Sequence, residues 1–185
     1  MTSEDVMRVG DLRAAGVPNH VIEARCRPGG RWQRVLPGVL LLSPDPPTDL
    51  QRWRAAQAYA GPGSVITGVA ALRAQGVRGL PDSGRVHVLQ PESQRLTGYD
   101  YVFLERTTRL PHPVHRHGLS LAPAPRAVLD AARREPNPLR LHHLLAAVVR
   151  AGLCTAQVLL TELDAGSRRG TAAPRATLRT LLPTT

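Results

Sequence analysis

Residues 10–42 read GDLRAAGVPNHVIEARCRPGGRWQRVLPGVLLL, and the fold is decided there. The spacing predicts a first helix over residues 9–15, ended by Gly16. Pro18 opens a second helix, with Asn19, His20, Glu23, Arg25 and Arg27 exposed and Val21, Ile22 and Cys26 on its apolar side. Proline suits a first helical turn because its missing N–H would be unpaired there anyway. Pro28-Gly29-Gly30 stops the helix. Residues 32–42 then read as strand on either side of the turn pair Pro37-Gly38. Two short helices, a basic glycine turn and an apolar hairpin are the outline of a winged helix-turn-helix. Between residues 24 and 43 stand Arg25, Arg27, Arg31 and Arg34 and no acid. A surface that meets phosphates gains from cations on a rigid frame and loses from carboxylates.

Outward from this stretch, residues 43–48 hold three prolines in five positions, which stiffens the backbone and forbids a continuing strand. The boundary between two domains is placed there, with a DNA-binding domain over residues 1–45 and a second domain over residues 49–185. In the second, residues 49–60 read as an amphipathic helix, and Ser64 is positioned to cap another that runs to Gln75. Residues 86–89, 99–105 and 119–121 read as strands, and residues 124–133, 139–151, 155–163 and 174–182 as helices. Strands in the middle with helices around them give an α+β domain with a small central sheet and C-terminal helices.

The chain has 185 residues and a net charge of +10, which favours an anionic partner, nucleic acid first. It has no lysine; all 24 basic residues are arginine, which excludes Walker-lysine, Schiff-base and lysine-dependent nuclease chemistry. Cys26 and Cys154 are far apart and read as two free thiols of a cytoplasmic protein. The start MTSEDVMRVG is acidic and lacks the long apolar run of a signal peptide, and no apolar run reaches the length of a membrane span.

The order of six short segments resembles the AbiEi-type antitoxin family. They are LRAAGVPNHVIEARC, GRWQRVLPGVLLL, AGPGSVITGVAALRAQGV, VHVLQP, GLSLAPAPRAVLD and LLAAVVRAGLCTAQVL, and together they cover nearly the whole chain. The chain is also similar to actinobacterial relatives that carry a very-short-patch-repair-like nuclease domain at their C-terminus. Residues 30–39 are the most specific part and residues 126–130 the next. The resemblance implies a winged-helix DNA-binding domain in front and an antitoxin domain behind. It implies a repressor of its own operon, of a kind often paired with a nucleotidyltransferase toxin. The chain departs from the family pattern in three places. The helix before the helix-turn-helix is almost missing, the threonine usual before the Arg126 helix is replaced, and the chain stops where a nuclease domain would begin. No nuclease activity is carried over.

The expected function is therefore a non-enzymatic transcriptional regulator that binds double-stranded DNA. On that reading Asn19, His20, Glu23 and Arg27 meet base edges, Arg31 and Arg34 meet phosphates, and Arg25 adds to the basic face. Two alternatives are a protein-binding adaptor that has lost DNA binding, and a remnant of a nuclease-fused protein. Trp32 reads as core rather than as a stacking platform. His112, His115 and His117 read as a mobile polar loop, and no metal or cofactor is expected. Arg126 and Asp130, four apart, read as a structural ion pair. Gly61 to Ser64 reads as a weak anion site at a helix start. The paired acids of nucleotidyltransferase chemistry do not follow Gly63-Ser64 at the right distance, since Asp82 comes too late.

Overall fold

A computed structural model describes residues 5–81 and 84–182, so Asp82 lies outside the described residues. Among them the chain is mixed α+β, with eight helices and two sheets of three and five strands. The first sheet comes from the front of the chain: β1 (Val6–Arg8), then α1 (Val9–Ala14) and α2 (Asn19–Arg25), then β2 (Gln33–Leu36) and β3 (Val39–Leu41). Its order is β1-β3-β2, antiparallel throughout, with Arg8 opposite Val39 and Arg34 opposite Leu40. Gly38 makes the hairpin possible, because the turn needs a φ of +71°, where a side chain is strained.

The two faces of this sheet go to different places. One carries Leu40, fully buried, which packs with Leu12 of α1, Ile22 of α2 and the partly buried Met7, Cys26 and Trp32. The other sends Val6, Val35, Leu36 and Val39 into the large core of the molecule. Between the sheets lies α3 (Asp49–Ala60), which touches β1, β2 and β3 on one side and β5 on the other. Its buried residues are Ala55, Ala56 and Ala60, and their small side chains let two sheets approach one helix. Thr48 and Gln51 close a capping box at its start, each side chain bonding the other's backbone N–H. The proline-rich segment before it is tied back by Gln33 Nε2, which donates to Ser43 O and Asp45 O at 2.8 and 2.6 Å.

The second sheet has the order β6-β5-β4-β8-β7, built from β4 (Val65–Thr67), β5 (Val86–Pro91), β6 (Val102–Thr107), β7 (Val114–Arg116) and β8 (Leu119–Leu121). β4 pairs antiparallel with β5 and parallel with β8, β5 runs parallel with β6, and β7 and β8 form an antiparallel hairpin. Helices α4 (Gly68–Ala74), α5 (Ala124–Ala132), α6 (Pro138–Arg150), α7 (Ala156–Ala165) and α8 (Ala172–Thr180) complete the rear of the molecule. α5 packs against α4, α6 and α7, and α8 closes over α6 and α7.

Four sequence expectations need correction. Ser64 caps no helix: its Oγ donates to Gly61 O at 2.6 Å, and the next three residues form β4. Val65, Ile66 and Thr67 are all β-branched, which favours strand over helix. The helix starts later, at Gly68, so residues 61–64 are not a helix N-terminus and the anion site expected there falls. Tyr99 precedes β6; it closes a tight turn by bridging Val102, with Asp100 at a φ of +50°. Residues 114–116, read as part of a loop, are β7.

The Arg126–Asp130 pair is structural, as its spacing implied. Arg126 Nε donates to both Asp130 oxygens at 2.9 Å, with the two residues only 8% and 4% exposed. Thr67 Oγ1 donates to Asp130 Oδ2 at 2.8 Å, and Arg126 Nη1 reaches Arg109 O at 3.1 Å. The pair therefore ties α5 to β4 and to the segment after β6. A buried charge pair needs such extra bonds to offset the loss of hydration.

Candidate nucleic-acid interface

The exposed face of the front unit is built on α2. Pro18 sits at its N-cap with ψ of 148°, so the chain enters the helix extended, and Cys26 ends it. Ile22 is the one fully inward residue, and this leaves Asn19, His20 and Glu23 on the outside, with Arg27 just past the end. The return to the sheet is tight. Gly30 N–H donates to Arg27 O at 2.7 Å and Trp32 N–H to Arg25 O at 3.0 Å. A Cβ at position 30 would overlap the Arg25 carbonyl oxygen, so only glycine fits.

The seven candidate side chains do not form one uniform set. Arg34 Nη2 contacts Glu23 Oε1 at 2.7 Å, joining β2 to the middle of α2. Arg13 Nε of α1 donates to Asn19 Oδ1 at 2.7 Å. Arg25 lies over the Trp32 ring, its Cζ 4.6 Å from the centroid. Trp32 is part of the small front core, as expected, and its outer face carries this guanidinium. His20, Arg27 and Arg31 are exposed, and among the described residues their side chains make no hydrogen bond or ion pair. Burial pushes the Cys26 thiol up, with Arg34 opposing, which makes it a poor nucleophile.

The acid-free run from residue 24 to 43 is thus not acid-free in space. Glu23 reaches into it and pairs with one of its four arginines. Two partners escaped the sequence reading, Arg13 and the Glu23–Arg34 pairing itself. Arg13 stands six residues before Asn19 across the turn between α1 and α2, and that spacing is the signal that could have found it. Glu23 and Arg34 are eleven apart on a helix and a strand, and no periodicity links them.

No group of three or more potential metal-ligating residues occurs among the described residues, and none of their helices is long and apolar enough to cross a membrane. Comparison with models of protein families returns no match, and comparison with curated proteins returns none either.

Proposed function

We propose that this protein is a non-enzymatic, duplex-DNA-binding regulator whose front unit is a winged helix, and that it acts as an AbiEi-type antitoxin repressing its own operon. The observation that carries the proposal is the strand-helix-helix-hairpin order with sheet order β1-β3-β2, which lays α2 across one sheet face with Asn19, His20 and Glu23 outward. A helix presented this way can enter a major groove while the hairpin lies beside the backbone. Arg25, Arg27 and Arg31 are the cations available to phosphates, and Arg34 joins them only when Glu23 releases it. Three phosphate contacts give a log–log salt slope of about −3 for B-DNA.

The test is a gel shift on the chain's own upstream region across a salt series. Binding in the micromolar range or tighter at low salt, with about that slope, is the expected result. Binding equally strong at high salt contradicts the phosphate mechanism.

A second reading, a protein-binding adaptor, draws on one observation. The first 48 residues hold six arginines and five acids, close to balance. On that reading the outer face of α2 meets protein, and no duplex shifts at any salt. A nucleotidyltransferase encoded next door would favour the antitoxin form of either reading.

A further inference from the structure

Where β1, α3 and the β7–β8 hairpin meet there is a cleft of about 410 Å³. Its walls include Arg8 of β1, Arg54 and Gln57 of α3, the Gly61-Pro62 bend and Gly118 of the hairpin turn. Two arginines line it and no acidic residue does. Gln57 Oε1 accepts from the Ser120 N–H at 3.0 Å, so the amide NH2 is the end left to donate. Arg54 Nη2 donates to His117 O at 3.1 Å, while Arg54 Nε is buried without a partner. Arg8 is exposed, with no side-chain partner among the described residues.

Donors therefore outnumber acceptors. Two arginines and an amide NH2 around one cleft, with no acid among its lining residues, favour an anionic acceptor. Arginine's fork matches a tetrahedral oxyanion, and bonds between charged partners are the stronger kind. We propose that this cleft is a phosphate site, held by Arg8, Arg54 and Gln57. Its volume leaves room for a group attached to the phosphate. The ligand is a phosphate ester, supplied by a DNA backbone or by a small phosphorylated compound. Arg8 ends β1 beside the hairpin turn, where the Val9 N–H donates to Gly38 O at 2.8 Å. Arg8 shares the α3 side of the sheet with Val6, opposite the side that carries α2.

The test is thermal unfolding of the full chain in sodium phosphate against sodium chloride at equal ionic strength. Phosphate also stabilises proteins by exclusion from their surface, so the variants decide. In the unaltered chain the extra rise in Tm should saturate with phosphate. Arg8→Gln should weaken the half-saturation about tenfold. Ala58→Glu, which sets a carboxylate on the cleft wall and leaves both arginines in place, should abolish the saturable part. A rise of the same size and shape in all three proteins overturns the site. Should Ala58→Glu fail to fold by circular dichroism, the exposed Arg8→Gln still decides. The second arm is duplex binding by Arg8→Gln. A salt slope shallower by about one unit assigns the phosphate to the DNA backbone. An unchanged slope with lost phosphate saturation assigns it to a small compound. Failure of the unaltered chain to bind any duplex removes the regulator reading and leaves the first arm to judge the cleft.

Discussion

The front and rear of this molecule bury their side chains in different ways. The front unit has a private core of three buried residues, Leu12, Ile22 and Leu40, under α1 and α2. The rest of its sheet leans on α3 and belongs to the large core. The rear carries its own sheet, five further helices and a buried ion pair. Charge divides as unevenly. The first 48 residues hold six arginines and five acids, and the remainder holds eighteen arginines and nine acids. The front owes its basic face to placement, with three arginines gathered around the end of α2. The rear has the excess but spends much of it on partners such as Asp130, Glu105 and Glu162. Net charge and placement thus differ, since the rear carries the excess while the front gathers exposed arginines on one face.

The comparison can be broken by substitution. Asp130→Ala leaves Arg126 buried without its carboxylate and should cost about 3–5 kcal/mol in denaturant unfolding. A loss below about 1 kcal/mol would show that the rear does not depend on the pair. Leu40→Ala removes the centre of the front core and should cost about 2–5 kcal/mol. In a Trp53→Phe background Trp32 reports the front alone, while circular dichroism reports the whole. Both transitions should move together, because the front sheet is packed on α3. Early loss of the Trp32 signal with an unchanged helical signal would mean that the front folds on its own.

Smaller effects sharpen it. The Glu105 carboxyl is held down at about 2, chiefly by His87 and further by Arg134, against the opposing effect of burial. His87 Nε2 stands 3.0 Å from Glu105 Oε2, off the line of a well-aligned hydrogen bond, and Arg134 Nη2 stands 2.6 Å away. A carboxylate lowered by folding contributes stability that is complete above its unfolded value of 4.5 and is lost as pH falls toward about 2. Glu105→Gln should therefore flatten the acid limb of stability between those values and lower stability by a constant amount above them. An unaltered acid limb would place the proton uptake elsewhere. The smallest effect on stability belongs to Glu23→Gln. Both side chains of that ion pair are well exposed, so stability should change by less than about 1 kcal/mol. Duplex binding should nevertheless tighten on non-specific sequences, with a salt slope steeper by about one unit as Arg34 is freed. An unchanged slope would show that Arg34 never reaches a phosphate.

Helix α3 was legible from its composition, and so was the hairpin around Pro37-Gly38. The Arg126–Asp130 pair was legible because four residues is one helical turn. What escaped depends on contacts distant in sequence. β1 is three residues long, too short to alternate, and it is a strand only because it pairs with β3. β7 is fully exposed and takes its conformation from β8. β4 was hidden by a glycine and a serine that imitate a helix start. At the candidate interface the exposure of Asn19, His20 and Arg27 could be read from the apolar side of α2. The pairing of Glu23 with Arg34 could not, since it forms only when β2 folds back beside the helix.

One dimension of the front unit bears on information. Helix α2 has seven residues and is thus about 10 Å long at the usual rise. At 3.4 Å per base pair, such a helix lies against about three base pairs. A three-letter word in a four-letter alphabet recurs about once in 64 positions by chance, and a genome offers on the order of a million or more competing positions. If α2 is the reading element, one copy spells a syllable rather than an address. A unique operator must then be written as repeated words at fixed spacing, read by several copies at once.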